Sequence, residues 1–317
     1  MTPAVFDPSE SCMRIVRTLE SFPPDARPSV VALGLFDGVH LAHRVVLDTA
    51  TARARRDGGT AVVCTFDPPP AEVLQPGRAP LPITTLDERV ALIAASGIAV
   101  TVVVPFTSAL ARMEPETFVT EILAERLGAR EVVIGFNHRF GRAARGDARL
   151  LQDVGARVGM HAEIIPPMDA DGTPVSSSAI RAALQRGDVT GAARMLGRPY
   201  FVSGDIVAGA GRGRSLGFAT ANVAAERPLL TPPGVYACHF TVGEVAHGAV
   251  VNAGVRPTFG EKVFTIEAHV LDFSGDLYDL PVAIALVVRI RDEQKFPDVE
   301  ALRHQISADV ATAGAML

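Results

Sequence analysis

A change of pattern at Gly197-Arg198-Pro199 divides this sequence into two parts of different fold class. Between Ser29 and Ile165, short apolar runs alternate with segments of helical spacing. After Pro199, short strand-like runs separated by Gly and Pro turns follow one another with no helix between them. The alternating part predicts a parallel α/β domain, and the strand-only part predicts an antiparallel β domain. We therefore expect two domains, residues 1–198 and 199–317.

In the first part, apolar runs of strand length alternate with helical segments in the order that right-handed βαβ units require. The predicted strands are 29–35, 60–66, 100–104, 131–134 and 162–165, and the predicted helices are 45–56, 86–95, 115–126 and 148–158. The pattern predicts a Rossmann-like parallel sheet buried on both faces. Ligands of such sheets bind at the carboxyl ends of the strands, so the residues after each strand are the candidate site.

The second part predicts a small antiparallel β-barrel or sandwich, preceded by two helices and followed by one. The predicted helices are 177–185 and 189–196, and the predicted strands are 201–207, 234–242, 246–251, 264–270 and 282–290. The last segment places Val299, Leu302, Ile306 and Val310 on one face. This spacing indicates an amphipathic helix, which we expect to close the barrel.

Charge and cysteine content exclude several classes of protein. With 30 Lys and Arg against 35 Asp and Glu, the net charge is −5, which argues against a sequence-independent nucleic-acid binder. Three cysteines without a C-x-x-C pair fit neither a disulfide framework nor a structural zinc site. The apolar runs are shorter than the roughly 20 residues of a membrane helix, and the first twenty residues do not read as a secretory signal. We expect a soluble, cytoplasmic protein.

The first candidate site is the segment Gly34–Arg44, which follows the first predicted strand and enters a helix. Gly38 permits a tight turn, and a helix start offers free N–H groups and a positive dipole end to a polyphosphate. His40 and His43, three residues apart, are expected on the same side of the first turn. Two surface histidines beside a turn would be the alternative for H-x-x-H alone.

The second candidate site combines the glycine-rich segment 204–218 with Thr220 and Asn222. Backbone N–H groups of a glycine-rich loop can hold a polyphosphate, and Arg212 and Arg214 add positive charge. Thr220 and Asn222 lie two apart on an extended segment, so their oxygens point to the same side, as Mg²⁺ ligands would. A flexible glycine hairpin is the alternative for the loop alone.

Four motifs of the first part resemble the nucleotidyltransferase half of bifunctional riboflavin kinase/FAD synthetases. They are G-x-F-D-G-V-H-x-x-H at 34–43, T-F-D-P at 65–68, G-F-N-H-R-F-G at 135–141 and V-S-S-S-A-I-R at 175–181. The resemblance implies His40, His43 and Arg181 as catalytic residues. It implies nucleotide contacts from Gly34, Phe36, Asp37, Gly38, Ser177 and Ser178, and flavin contacts from Asp67, Asn137, Arg139 and Phe140.

This half departs from the family pattern at three positions. Ala42 stands where the family has Gly in H-x-G-H, Pro69 where it has His in F-D-P-H-P, and His138 where it has an aromatic residue. An added methyl group crowds a phosphate-binding turn, and loss of an imidazole removes a polar contact. We therefore hypothesise that adenylyl transfer is weakened or redirected to a related substrate.

The second part resembles the riboflavin kinase half of the same family. Its motifs are the glycine-rich segment 209–222, with Ala219 in place of Pro, N-A-G-V-R-P-T-F at 252–259, and E-A-H-V-L-D-F at 267–273 with D-L-Y at 276–278. The resemblance implies Glu267 as the general base and Thr220 and Asn222 as Mg²⁺ ligands. It implies nucleotide contacts from Gly209, Gly211, Arg212, Gly213 and Gly217, and flavin contacts from Asn252, Arg256 and Tyr278.

Together the motifs predict an enzyme that phosphorylates riboflavin to FMN in its second domain and adenylylates FMN to FAD in its first. Both steps would use ATP and Mg²⁺, with flavins as substrates and products. Three alternatives stay open: a paralogue acting on a modified flavin or another nucleotide, a riboflavin kinase with a weakened or silent adenylyltransferase domain, and a flavin- or nucleotide-binding module with a silent first domain. We expect small-molecule substrates, no nucleic-acid or membrane partner, and a monomer or weak homo-oligomer.

Overall fold

The structure, a computed structural model, describes residues 13–207, 218, 220–258, 261–273 and 280–317, with the backbone alone at 255–258 and 261–264. The chain divides into two compact units, of which the described residues 13–176 form one and 177–317 the other. The helices of 177–196 thus belong to the same compact unit as the C-terminal strands. A functional boundary between residues 198 and 199 stays a prediction.

The first unit contains a six-stranded parallel sheet. Its strands are β1 (Arg14–Val16), β2 (Ser29–Leu33), β3 (Thr60–Asp67), β4 (Val100–Pro105), β5 (Ala129–Gly135) and β6 (His161–Ile165). They lie in the order β1-β4-β3-β2-β5-β6. The five predicted strands are confirmed, and β1 is an addition: it is a three-residue edge strand with two exposed residues, too short for an apolar pattern. A small hairpin, β7 (Asp169–Ala170) with β8 (Thr173–Pro174), follows the sheet.

Helices cover both faces of this sheet. They are α1 (Leu41–Asp57), α2 (Pro70–Leu74), α3 (Leu86–Ala94), α4 (Ser108–Ala111), α5 (Pro115–Thr117), which continues into a π-helix (Phe118–Arg126), and α6 (Ala148–Arg157). Short 3-10 turns occur at Leu19–Ser21, Pro24–Ala26 and Arg142–Ala144. Strand β2 is buried throughout, with Val31 and Leu33 in one core layer and Val30 and Ala32 in the other. This confirms a sheet buried on both faces.

The segment 115–126 differs from the single α-helix that its spacing predicts. From Phe118 onward the backbone forms a π-helix, which ends with Leu127 N–H bonded to the Ile122 carbonyl. Phe118, Ile122 and Leu123 are still buried. Over nine residues, apolar spacing of this kind fits both helix types, so the sequence does not distinguish them.

The second unit contains a closed six-stranded antiparallel barrel, which decides between the predicted barrel and sandwich. Its strands are β9 (Tyr200–Val207), β10 (Ala221–Ala225), β11 (Gly234–Val242), β12 (Val245–Thr258), β13 (Glu261–Val270) and β14 (Pro281–Arg291), in the order β10-β13-β12-β11-β14-β9. Its helices are α7 (Ser177–Gln185), α8 (Val189–Leu196) and α9 (Val299–Met316). Helix α8 packs on β9 and β14.

Helix α9 covers one outer side of the barrel, over β11, β12 and β14, and the expectation that it closes the barrel is wrong. Its Ala313 packs with Val235 and Val250, whereas the barrel interior is filled by the alternate residues of β11. Val299 is 60% exposed and does not belong to the packed face. The helix is also held by Asp309, which forms a buried, two-pronged ion pair with Arg291 at 2.7–3.1 Å.

Candidate active sites

The polar segments predicted as the first site follow three neighbouring strands. Strands β3, β2 and β5 lie side by side and parallel, so Asp67, Gly34 and Gly135 end at the same edge of the sheet. Since the loops after these strands begin at this edge, residues distant in sequence come close together there. The structure thereby joins the motifs at 34–43 and 135–141 in one place.

His40 and His43 form a stacked pair at the start of α1. His40 is the N-cap, and its Nδ1 accepts a hydrogen bond from the His43 backbone N–H at 3.3 Å. The two imidazole rings lie nearly parallel with centroids 3.6 Å apart. This confirms that both face the same side of the first turn. The ring of Phe36 packs edge-on against the ring of His43, with centroids 5.2 Å apart.

The turn before α1 requires glycine at residue 38. Gly38 has φ +80°, and a Cβ added there would lie 3.0 Å from Ile83 Cγ2. Its backbone N–H donates to Thr84 Oγ1 at 3.1 Å. The buried carboxylate of Asp37 accepts from the backbone N–H groups of Ile83 and Thr84 at 2.9–3.1 Å. The turn is therefore fastened to the segment before α3, which gives Asp37 a structural role; its contact with nucleotide stays a prediction.

Three buried nitrogen atoms around this edge accept or donate no hydrogen bond among the described residues: His43 Nδ1, Arg89 Nε and His138 Nε2. They come from α1, from α3 and from the loop after β5. Burial lowers the pKa of His43 well below its usual value, and the charges of His40, His138 and Arg89 lower it further. Burial also lowers the pKa of His138 to about 4. Both imidazoles are therefore neutral at pH 7.

Arg89 is a buried cation that the sequence analysis did not single out. It is 3% exposed, and its Nη2 donates to the Phe66 carbonyl at 3.0 Å. Burial lowers the pKa of its guanidinium, while the carboxylates of Asp37 and Asp67 oppose that change. An arginine in a helix with ordinary apolar spacing gives no sequence signal of this role; only the position of α3 beside the strand ends reveals it.

The predicted flavin contacts of this unit have different surroundings. Asp67 is half-buried at the end of β3, and Asn137 is exposed. Arg139 is exposed and pairs with Asp147 at 3.4 Å. Phe140 belongs to the core, where its ring lies 5.7 Å from that of Phe118. Ser177, Ser178 and Arg181 lie in the first turns of α7, in the other compact unit, so their part in this site stays a prediction.

The second site is organised by the register of the barrel strands. Glu267 on β13 lies directly opposite Asn222 on β10 and directly opposite Asn252 on β12. The neighbours Ile266 and Ala268 are buried inside the barrel, so Glu267 and both asparagines project from its outer face. The register thus brings together three residues that the sequence presents 30 and 15 positions apart.

Beside these residues lie Thr220, which is half-buried two positions before Asn222, and His269, which stands edge-on to Phe218 at 5.4 Å. The other predicted residues of this site cannot be placed in the same way. Arg256 is described by its backbone alone. Outside the described residues lie Gly209, Gly211, Arg212, Gly213, Gly217 and Tyr278.

A third polar cluster lies at the opposite edge of the parallel sheet, beside a cavity of about 470 Å³. Metal-ligating atoms of Glu131, His161 and Glu163 come within 4.8 Å of one another there. Arg53 already faces both carboxylates, at 2.6 Å from Glu163 and 3.5 Å from Glu131. The guanidinium therefore supplies the cation that this cluster needs, and the cluster is explained as an ion-pair network.

Comparisons with known proteins match both units. Residues 22–179 match the family described as FAD synthetase, and residues 196–317 match the family described as riboflavin kinase. A bifunctional riboflavin kinase/FMN adenylyltransferase of Pseudomonas fluorescens is 35% identical over 96% of this chain and 98% of its own length. The Bacillus subtilis protein of the same name is 37% identical over 89% of this chain and 90% of its own.

One solved structure has the same fold over nearly the whole chain. It is titled as a macrolide-efflux protein from Streptococcus pneumoniae, is 29% identical, and covers 95% of this chain and 98% of its own with a TM-score of 0.87. In the part of the chain that the structure describes, the helices are all too short or too polar to cross a bilayer.

Proposed function

Because this chain belongs to the family of bifunctional riboflavin kinases/FMN adenylyltransferases, we propose that its barrel unit makes FMN around Glu267 and that its α/β unit converts FMN to FAD around the stacked histidines. The observation that carries the first assignment is the register that sets Glu267 between Asn222 and Asn252. The observation that carries the second is the group of unpartnered nitrogens at the strand ends.

In the kinase reaction, the terminal ribityl hydroxyl of riboflavin attacks the γ-phosphorus of ATP. Glu267 accepts the hydroxyl proton as the new O–P bond forms, and the bond from the γ-phosphorus to the β-phosphate oxygen breaks to release ADP. Asn252 and Arg256 orient the flavin together with Tyr278. The glycine-rich segment with Arg212 holds the nucleotide phosphates through backbone N–H groups and one guanidinium.

The donor set beside Glu267 fits Mg²⁺. Thr220 and Asn222 offer a hydroxyl and an amide oxygen on one face of an extended segment, and Mg²⁺ prefers oxygen ligands of this kind. When bound, the ion neutralises charge on the transferring phosphate groups. Thr220 and Asn222 would hold it, and the carboxylate of Glu267 stays directed at the hydroxyl proton.

In the adenylyl transfer, a phosphate oxygen of FMN attacks the α-phosphorus of ATP, and pyrophosphate leaves. No protein nucleophile is needed, so the protein acts by positioning and by stabilising charge. His40, His43 and the N–H groups at the start of α1 stabilise the phosphate chain, and Arg181, Ser177 and Ser178 assist them. Asp67, Asn137, Arg139 and Phe140 orient the flavin, and Gly34, Phe36 and Gly38 shape the turn that receives the nucleotide.

A specific departure favours a second candidate function, a riboflavin kinase with a weakened or redirected adenylyl transfer. Pro69 precedes α2 as its N-cap and offers no side-chain hydrogen bond, where the family has a histidine. Ala42 adds a methyl group in the first turn of α1. These changes remove one polar contact and add volume beside the phosphate-binding turn.

The proposed activity also implies a cellular compartment and a set of partners for this protein. Flavins and ATP are intracellular metabolites, and the described cysteines, Cys64 and Cys238, are buried free thiols, which supports a reducing cytoplasm. The acidic net charge of −5 supports small-molecule substrates without a nucleic-acid partner. We propose a monomer or weak homo-oligomer that acts without a membrane partner.

One assay tests these assignments. Purified protein is given riboflavin, ATP and Mg²⁺, and FMN and FAD are followed over time by chromatography. Accumulation of FMN followed by FAD supports the full proposal. FMN without FAD supports the second candidate, and formation of neither product overturns both.

A further inference from the structure

The three unpartnered nitrogens at the strand ends have a consequence for ligand binding. Buried polar atoms of folded proteins nearly always have a hydrogen-bond partner, and each one left without a partner costs about 1–3 kcal/mol. Here His43 Nδ1, Arg89 Nε and His138 Nε2 lack one within the described part of the chain, at the same edge of the same sheet. Their concentration in one place indicates a site that a polar ligand completes.

The charges around these atoms favour an anion. Arg89 is cationic, and an arginine keeps its proton at any physiological pH. Of the two carboxylates whose charges act on Arg89, Asp37 already accepts hydrogen bonds from Ile83 and Thr84, and Asp67 is half-buried at the end of β3. The start of α1 adds the positive end of a helix dipole on the side of His40 and His43.

We propose that Arg89 and His138 are phosphate-binding residues that complete, with His43, a subsite for a phosphate group of the adenylyl-transfer reaction. This inference rests on the proposed function of the α/β unit. Arg89 Nε donates to a phosphate oxygen as a charge-assisted hydrogen bond, and the imidazoles bind through the nitrogens that are now without partners. His138 thereby replaces the aromatic contact of the family with a polar one.

The phosphate group has two possible sources, the pyrophosphate part of ATP and the phosphate of FMN. Both have the same oxygen chemistry, so the protein geometry assigns the class of ligand and binding measurements distinguish the source. Binding of an anion also raises the affinity of the neighbouring imidazoles for protons, because the charge that opposes protonation is then neutralised. The subsite therefore takes up protons on phosphate binding at mildly acidic pH, between the lowered pKa of the free imidazoles and their ordinary value of about 6.5.

The test uses calorimetric titration of the full chain with pyrophosphate and, separately, with FMN. Arg89→Gln should weaken binding of at least one of them by about tenfold or more, since a hydrogen bond to a charged group is lost. His138→Phe, which restores an aromatic side chain, should weaken it less and reduce proton uptake, measured in buffers of different ionisation enthalpy. Arg149→Gln is the matched control, because Arg149 is 90% exposed in the same unit.

Circular dichroism checks the folding of each variant, and the activity of the barrel unit is an internal control in the same molecule. Arg89 also donates to the Phe66 carbonyl, so Arg89→Lys serves as a second variant that retains charge but cannot reproduce the Nε contact. Riboflavin phosphorylation by the barrel unit should be unchanged in all of them. Weakened pyrophosphate binding assigns the subsite to the nucleotide, and weakened FMN binding assigns it to the flavin phosphate.

Wild-type affinity and wild-type proton uptake for both ligands in the folded Arg89 and His138 variants would overturn the inference. That outcome is separable from failure of the proposed function, since FAD formation from FMN and ATP by the wild-type protein is measured independently. A wild-type protein that binds pyrophosphate through Arg89 and makes no FAD would refute the function and leave the subsite intact.

Discussion

Glu267 and Asn222 lie directly opposite each other on neighbouring antiparallel strands of the barrel, on its outer face. Residues so placed have Cβ atoms about 4.5–5.5 Å apart, so a carboxylate and an amide oxygen can act on one bound phosphate donor. Nothing within either sequence motif specifies this distance. It results from the pairing of β10 with β13.

Replacement of Glu267 by Gln should abolish FMN formation and spare conversion of FMN to FAD. The amide has nearly the same shape but cannot accept the proton of the ribityl hydroxyl. Both half-reactions are measured with separate substrates, riboflavin with ATP and FMN with ATP. Glu244→Gln, at an exposed turn of the same barrel, is the control that should retain both. Loss of both activities in folded Glu267→Gln would refute the division between the two units.

Replacement of Asn222 by Ala should raise the Mg²⁺ concentration for half-maximal FMN formation by about tenfold, since one oxygen ligand is lost. The measurement is a Mg²⁺ titration of initial rate at saturating riboflavin. The Mg²⁺ dependence of FMN adenylylation in the same variant is the internal reference. An unchanged Mg²⁺ requirement in the kinase reaction would remove Asn222 from the metal site.

Replacement of Pro69 by His restores the residue of the family pattern at the N-cap of α2. If its loss weakens the first site, Pro69→His should raise turnover of FMN with ATP several-fold and leave riboflavin phosphorylation unchanged. The comparison is of kcat and KM for FMN in both proteins. Equal values before and after the change would show that this departure has no bearing on adenylyl transfer.

Stability of the α/β unit should fall as the pH is lowered from 7 toward 4. His138 has a pKa of about 4 in the folded state against an ordinary 6.5, so the unfolded chain binds more protons in this range. Each unit of pKa difference between the folded and unfolded states corresponds to about 1.4 kcal/mol in the free energy of unfolding. His43, whose pKa is also lowered by burial, acts in the same direction. This contribution to the free energy of unfolding is complete above pH 6.5 and is lost as the pH falls from 6.5 to about 4.

His138→Phe, which has no titrating group, should therefore lose less in thermal unfolding temperature between pH 7 and pH 5 than the wild-type protein. Circular dichroism follows the transition, and an NMR titration of the His138 ring measures its pKa directly. An equal pH dependence in both proteins, or an unshifted His138, would contradict the burial of this imidazole.

Replacement of Asp309 by Asn should destabilise the barrel unit by about 3–5 kcal/mol, because Arg291 would remain half-buried without its counter-charge. Asp309 is 3% exposed and also accepts from Gln305 at 2.9 Å. Chemical denaturation followed by circular dichroism measures the change. Asp292→Asn is a suitable control, since Asp292 is largely exposed and its ion pair with Arg289 is worth little.

Much of the fold follows from local patterns. Each of the five longer strands of the sheet contains a short apolar run, and α7 and α8 begin and end at the residues that spacing predicts. The edge strand β1 escapes prediction because it has only three residues, two of them exposed, and so carries no apolar period. The position of α9 escapes it because Asp309, a charged residue on the apolar face, is buried only through its pairing with Arg291.

The sequence by itself determined the two fold classes, the order of the motifs and the placement of His40 and His43 on the same side of the first turn of α1, since these depend on residues close together along the chain. Only the tertiary structure decided that Arg89 and His138 join His43, and that Glu267 faces both Asn222 and Asn252. The physical reason is that strand order and register bring residues together across long separations, and the burial that shifts their pKa values exists only after the sheet and barrel have formed.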